Sequence, residues 1–276
     1  MATETPIKNT SYTHEAYAAN ASFVPLLTSR VTALLAPRGT DRILDIGAGD
    51  LVLTAKLAPH AAYILALDAS SDLLSAGRTL FPASEYPNLG TRLVDCRFLS
   101  RETDIVDDGW DAVFSNAALH WILRDEGTRD DVLAGVYRSL KSGGRFVAEM
   151  GGFGNVAEVN TALTAALVAA GVAVEEVRAA NPWWFPSEGE MRRRLEGVGF
   201  DVQLIETERR PTELGEGGVV GWMEVFGQRL LELVEEGRRR EVVEAAARAL
   251  EGAARREDGR WVIGYVRLRW VAVKRE

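Results

Sequence analysis

Cysteine is almost absent from this chain: Cys96 is the only one among 276 residues. One thiol excludes an internal disulfide and a metal site built from clustered cysteines. There are only three histidines, His14, His60 and His120; the first two read as surface positions, and no metal is expected. Positive charge is also short, with 32 Lys and Arg against 40 Asp and Glu, a net charge of -8. A protein that grips nucleic acid by its phosphates carries a basic excess, so no nucleic-acid partner is expected. The clusters Arg192-Arg193-Arg194 and Arg238-Arg239-Arg240 stand among glutamates and read as solvated helix faces. No apolar run approaches 18 residues, so no membrane span is expected. Residues 1–11 (MATETPIKNTS) lack a secretory apolar core and an Arg-rich transit pattern. They read as a disordered tail on a cytoplasmic protein, with the nucleus as the other compartment open to it.

The chain is long enough for one large domain or a domain with a lobe, and 47% of its residues are hydrophobic. Apolar residues at helical spacing (Phe23, Leu27, Val31, Leu34, Leu35) predict helices over 12–36, closed by Pro37-Arg38-Gly39. Strands and helices then alternate. Strands are expected at 42–46, 62–67, 91–94, 111–115 and 145–149, with helices at 51–57, 71–80 and 128–140. Ser70 is a candidate cap for the second helix, and Lys141-Ser142-Gly143-Gly144 a turn. This rhythm implies a parallel sheet covered on both faces.

The pattern changes after Gly154. A helix is expected over 155–170, then a stiff aromatic loop, Asn181-Pro182-Trp183-Trp184-Phe185-Pro186. Ser187 and Glu190 form a candidate capping box for the next helix. Strands at 199–208 and 261–273 flank two charged amphipathic helices within 219–256, and Gly264 is a candidate bulge. The fold class expected is α/β: a Rossmann-like, doubly wound, mostly parallel seven-stranded sheet with a C-terminal antiparallel hairpin and a helical insertion. The domain plan is a tail (1–11), N-terminal lid helices (12–36), a core (37–154) and a substrate-side region (155–276), with the insertion at about 211–258.

The chemistry centres on "ILDIGAGDLVLTAKL", residues 43–57. A strand that ends in a tight turn and opens a helix points free N–H groups at whatever lies above it. Gly47 and Gly49 permit that turn and let a ligand come close to the backbone. Asp68 follows 19 residues after Gly49, at a strand end, where a carboxylate accepts both ribose hydroxyls. A dinucleotide loop has a third glycine where Val52 stands, so a cofactor with an adenosine and no pyrophosphate fits better.

The segments "ILDIGAGD", "ALDAS", "WDAVFSNAALHWI", "LKSGGRFVAE", "NPWWFPSEGEMRRRLEGVGF" and "YVRLRWVAVK" carry a family resemblance. The chain resembles class I S-adenosylmethionine-dependent methyltransferases, and more narrowly their trans-aconitate methyltransferase-like group, from about residue 12 to the end. The resemblance implies S-adenosylmethionine as cofactor. It implies that Asp45, Gly47, Ala48 and Gly49 line the methionine part, that Asp68 binds the ribose, and that Ala69 packs on the adenine. It implies further that Asp95 and the Cys96 backbone face the adenine amino group, and that Ser115 and Asn116 lie under the sulfonium and methyl. The N-terminal segment is a lid in that family, which brings in Tyr12 as a substrate contact and Tyr17 and Asn20 as cofactor contacts, against plain helix packing. Two positions depart from the family: Ser142 replaces a proline, and Leu51 stands where a further glycine is common, with a side chain placed to crowd the methionine moiety.

The activity this implies is methyl transfer to a small-molecule acceptor, a carboxylic acid among the choices, by in-line displacement. RNA or protein as acceptor is the alternative, and a non-catalytic, partner-stabilising cofactor binder another. A carboxylate attacks unaided, whereas a hydroxyl or amine needs a base. His120 is the candidate catalytic residue, with packing on Trp121 as the competing explanation. Trp121, Trp183 and Trp184 are candidate substrate contacts; the loop rings Trp183, Trp184 and Phe185 either wall the pocket or seal the lobe to the sheet. Arg210, Arg267 and Arg269 are candidate carboxylate clamps, Arg267 foremost, against a reading as surface charge. Oligomeric state is not legible in the sequence.

Overall fold

The computed structural model describes residues 28–107 and 109–275. The expected contacts Tyr12, Tyr17 and Asn20, and most of the expected lid, lie outside the described residues. The elements run α1 (Ser29–Leu35), β1 (Arg42–Ile46), α2 (Val52–Leu57), β2 (Tyr63–Asp68), α3 (Ser71–Leu80), β3 (Leu89–Leu93), α4 (Thr103–Val106), β4 (Trp110–Asn116), α5 (Leu119–Ile122), α6 (Arg129–Ser139) and β5 (Leu140–Gly151). They continue α7 (Ala157–Ala169), α8 (Val174–Ala180), α9 (Glu188–Val198), β6 (Phe200–Glu213), α10 (Gly218–Phe226), α11 (Gln228–Leu231), α12 (Glu236–Ala254) and β7 (Val262–Lys274).

The seven strands form one sheet in the order β3-β2-β1-β4-β5-β7-β6. The first five are parallel, and β7 runs antiparallel between β5 and β6. The expected sheet and its C-terminal hairpin are therefore present. Successive residues of a strand face opposite sides. Ile43, Ala112, Phe114 and Val147 accordingly pack with α1, α2 and α3, while Leu44, Val113, Phe146 and Trp270 pack with α6 and α9. A third apolar cluster joins Ile263 and Tyr265 of β7 to α7, α8, α10, α11 and α12, and forms the lobe. Among the described residues no helix is long and apolar enough to cross a membrane.

The local reasons match the sequence in several places. Ser70 caps α3 by accepting from Leu73 N at 3.3 Å. Ser187 accepts from Glu190 N, but the Glu190 carboxylate goes to Arg193 and Arg194, so only half of the capping box forms. Gly264 is no bulge: its register is continuous, and the irregularity of β6 lies between Val202 and Leu204. The missing side chain at Gly264 admits Glu158, which accepts its N–H. The expected turn at 141–144 lies inside β5, where the register with β4 shifts. The insertion between β6 and β7 holds three helices rather than two.

Candidate active site

Parallel strands all end on one edge, and the segments that follow β1, β2 and β4 meet there. Gly47 (φ 74°) and Gly49 (φ 59°) both take left-handed backbone, as the loop requires. A side chain at Gly47 would meet Ala118 Cβ at 2.2 Å, whereas Gly49 has open space above it among the described residues. The N–H groups of Gly47 and Ala48 both donate to Leu67 O, tying the loop to β2. Asp45 is 3% exposed and accepts from Thr54 Oγ1 at 2.6 Å. Burial pushes its carboxyl up to about 7; the Thr54 hydrogen bond opposes this and the charge of Asp68 adds to it.

Leu51 corrects an expectation. It has φ 64° and is fully buried, in the cluster with Val31, Leu35 and Ala55. Its Cγ lies where a Cβ on Gly77 of α3 would come within 2.6 Å. The side chain thus turns into the core, and a glycine on the neighbouring helix receives it. A leucine in left-handed backbone is strained, and burial offsets the cost.

Asp68 sits at the end of β2 and anchors the crevice. Its Oδ2 accepts from Gly49 N at 2.9 Å and its Oδ1 from Ser70 N at 2.8 Å. Burial raises its pKa, and these backbone N–H groups pull it back. Ala69 beside it is exposed. Asp95 caps the short 3-10 turn that follows β3, and Arg97 grips its carboxylate through Nε and Nη2. Burial raises the Asp95 pKa, but Arg97 outweighs it and the net shift is downward. Cys96 is 3% exposed, and burial pushes its thiol up, which suits packing and not nucleophilic chemistry.

At the end of β4, Ser115 Oγ donates to Ile46 O at 2.7 Å and braces β4 against β1. Asn116 Oδ1 is buried with no hydrogen-bond partner among the described residues. Ala117 then takes φ 56°, turning the chain so that Ala118 comes under Gly47. His120 is 8% exposed, and its Nδ1 accepts from Gly151 N at 3.4 Å, which leaves the proton on Nε2. Burial, and then the charge of Arg267, push its pKa down to about 3. The imidazole is therefore neutral at physiological pH and a weak base.

Rings continue from His120 into the lobe. Trp121 and Phe185 lie 5.5 and 5.6 Å from His120, and Trp121 meets Trp183 at 5.6 Å. Trp183 meets Trp222 of α10 at 5.9 Å, and Trp222 Nε1 donates to Tyr265 Oη. Trp183 and Trp184 separate: Trp183 joins the lobe cluster, whereas Trp184 packs with the sheet core beneath Arg129 and Arg194. The aromatic loop thus seals the lobe to the sheet, and Trp184 is held as packing. Arg269 is also structural, bound to Glu149, Glu206 and Glu208, and Arg210 pairs with Glu208. Arg267 differs. It is 5% exposed, its Nε has no hydrogen-bond partner among the described residues, and its closest carboxylate is Glu149 at 3.9 Å. The register places it opposite Gly151, beside His120. Arg267 and Arg269 are buried, not the surface charge that their spacing on a strand suggested.

The sequence pattern assigns no role to Thr54, Gly77, Ala117, Ala118 and Tyr265, although all but Gly77 lie within the segments quoted above. A family described as "Methyltransferase domain" matches residues 44–146, the span from β1 into β5. An uncharacterized methyltransferase of Schizosaccharomyces pombe is 39% identical over 94% of this chain and 96% of its own. The chain belongs to the methyltransferase family. It is a S-adenosylmethionine-dependent enzyme at that level of description, and the narrower trans-aconitate group is not distinguished. The fold is similar to that of the YcgJ protein of Bacillus subtilis (TM-score 0.60, 15% identity, 90% of this chain and 99% of that one). It is also similar to a phosphoethanolamine N-methyltransferase of Haemonchus contortus in complex with phosphomonomethylethanolamine and S-adenosylhomocysteine (TM-score 0.51, 16% identity, 90% of this chain and 52% of that one).

Proposed function

We propose that this methyltransferase acts on a small organic acid, methylating an oxygen of a carboxylate that Arg267 holds. The observation that carries the reading is the buried guanidinium of Arg267, without a hydrogen bond at Nε among the described residues, beside His120 at the carboxyl edge of the sheet. A desolvated arginine is well matched to a carboxylate. The neutral, weakly basic His120 supports the same choice, because a carboxylate is already the nucleophile and needs no proton removed. His120 then acts as a positioning residue that holds Gly151 and Phe185 in place. Trp121 contributes apolar wall. The chain's net charge of -8 disfavours an RNA acceptor.

The residues present fit S-adenosylmethionine. Asp68 uses one lone pair on each oxygen for Gly49 and Ser70, and a carboxylate has others for two ribose hydroxyls. Among the described residues, Gly49 is open above, and Asn116 Oδ1 is an acceptor without a partner below. The bound cofactor supplies an electrophilic methyl group; the chain aligns the acceptor with it and keeps water out. Asp68→Ala is expected to weaken S-adenosylmethionine binding by ~1–3 kcal/mol in calorimetry; unchanged affinity would remove the ribose assignment. A screen of acids, phenols and amines with detection of S-adenosylhomocysteine tests the acceptor. Acids should turn over without proton release, since an ester forms from an anion, whereas phenols and amines release one proton per turnover. Turnover confined to the latter overturns the acid reading.

A further inference from the structure

Arg267 and Arg269 leave β7 on the same face, and the register gives each two opposite neighbours. Glu149 of β5 and Glu206 of β6 stand opposite Arg269; Gly151 of β5 and Glu208 of β6 stand opposite Arg267. The ion pairs do not follow that division. Arg269 takes Glu149 Oε2 through Nε at 2.8 Å and Nη2 at 2.7 Å. Its Nη2 also donates to Glu208 Oε2 at 2.7 Å, and its Nη1 to Glu206 Oε1 at 3.3 Å. Arg210 holds Glu208 as well. Glu149 Oε1 is left 3.9 Å from Arg267 Nε, near enough to offset its charge and too far for a hydrogen bond. The Arg267 guanidinium lies over the ring of Tyr265 at 4.9 Å, and Trp222 donates to that ring's hydroxyl.

We propose that Arg269 is a positioning residue for the acceptor: by gripping Glu149 and Glu208 it keeps both carboxylates from closing on Arg267, whose donors stay available to the acceptor's carboxylate. The acceptor part of this inference rests on the function proposed above. A guanidinium and a carboxylate match fork to fork, so a released Glu149 would pair with Arg267 and stand in for the acceptor. An arginine buried with no negative charge nearby would be costly in the other direction. The observed spacing avoids both. Glu149 lends its charge without taking the donors, Arg269 fixes the distance, and the Tyr265 face holds the guanidinium on the lobe side.

The first measurement uses no ligand. The full chain is labelled with 15N-arginine, and the Nε–H resonance of Arg267 is assigned by its loss in Arg267→Lys. In Arg269→Gln, Glu149 is freed to accept from Arg267. The Arg267 Nε–H should then move downfield, and its exchange with water should slow by about tenfold or more. Adding Glu149→Gln should reverse most of both changes. Arg269→Lys is the milder variant, should Arg269→Gln not fold: one ammonium does not hold both carboxylates as a fork does, and exchange should slow by a smaller factor. Unchanged Arg267 exchange in the folded variant overturns the proposal.

Benzoate, one carboxylate on one ring, is the probe for the second measurement. It should shift the Arg267 resonance saturably in the wild type, at about tenfold higher concentration in Arg269→Gln, and near the wild-type concentration again in Arg269→Gln with Glu149→Gln. A loss that Glu149→Gln does not reverse would make Arg269 framework only and overturn the proposal. With any acid found by screening, Arg269→Gln should raise KM at constant kcat. A wild type whose Arg267 ignores benzoate strikes the proposed function alone, since the comparison of Nε–H exchange between variants still decides whether Arg269 keeps Arg267 free.

Discussion

Between β1 and α2 the crevice is made of backbone. Gly47, Ala48 and Gly49 place N–H groups and carbonyls, and the nearby side chains, Asp45, Thr54 and Asp68, are tied into that backbone or to each other. Between α5 and α10 it is made of side chains: His120, Trp121, Phe185, Trp183 and Trp222 in ring contact, with Arg267 at one end. A backbone site demands particular residues at fixed spacing, because glycine alone takes certain angles and clearances without cost. A side-chain site demands only that rings and charges arrive together, from wherever the chain brings them. The first kind is specified locally and the second by tertiary packing.

The hardest test of that contrast is Gly47→Val. A Cβ there lies 2.2 Å from Ala118 Cβ, at a φ of 74°. Left-handed backbone and overpacking together should cost about 3 kcal/mol or more of stability. Calorimetric binding of S-adenosylmethionine should be lost, because Ala118 and the loop are driven apart. Normal binding by a folded Gly47→Val protein would break the claim that the backbone makes this half of the site.

Leu51→Ala sharpens the comparison at smaller cost. The leucine is in the core and not in the crevice, so its removal should lower stability by about 3 kcal/mol through cavity formation. S-adenosylmethionine affinity should change less than threefold. Denaturant unfolding and calorimetry read the two separately; tighter binding with little loss of stability would return the side chain to the cofactor, where the sequence had put it.

How far each half could be read in advance follows from the same distinction. The strand–glycine–helix–Asp68 pattern is periodic and local, and it predicted the sheet, the loop and the carboxylate at the strand end. Leu51 was misjudged because its accommodation by Gly77 depends on a helix twenty-six residues on. On the lobe side the aromatic loop drew notice, but its division did not: Trp183 and Trp184 are adjacent, yet enter different clusters. Arg267 and Arg269 are two residues apart on one strand, and only pairing across β5 and β6 makes one a structural ion and leaves the other without a hydrogen bond at Nε among the described residues. No short-range pattern encodes such a difference.

A third test separates the halves by their protons. Asp45, on the backbone side, has its pKa raised from 3.8 to about 7, so between those values the folded chain holds a proton that the unfolded chain has released. Its contribution to stability is present below 3.8 and is lost as pH rises through 7. His120, on the ring side, is lowered from 6.5 to about 3, so there the unfolded chain holds the extra proton. Its contribution is present above 6.5 and is lost as pH falls through 3. The slopes are opposite, and they overlap from 3.8 to 6.5, where they cancel. Asp45→Asn keeps an acceptor for Thr54 and removes one slope, so stability relative to wild type should gain ~1.4 kcal/mol per pH unit as pH rises through that window. His120→Gln should shift the slope by the same amount the other way. Urea unfolding of the three proteins at several pH values measures the difference directly, with the remaining carboxylates common to all. Parallel curves would mean that neither group is held far from its ordinary pKa, and the electrostatic half of the comparison would fall while the geometric half stood.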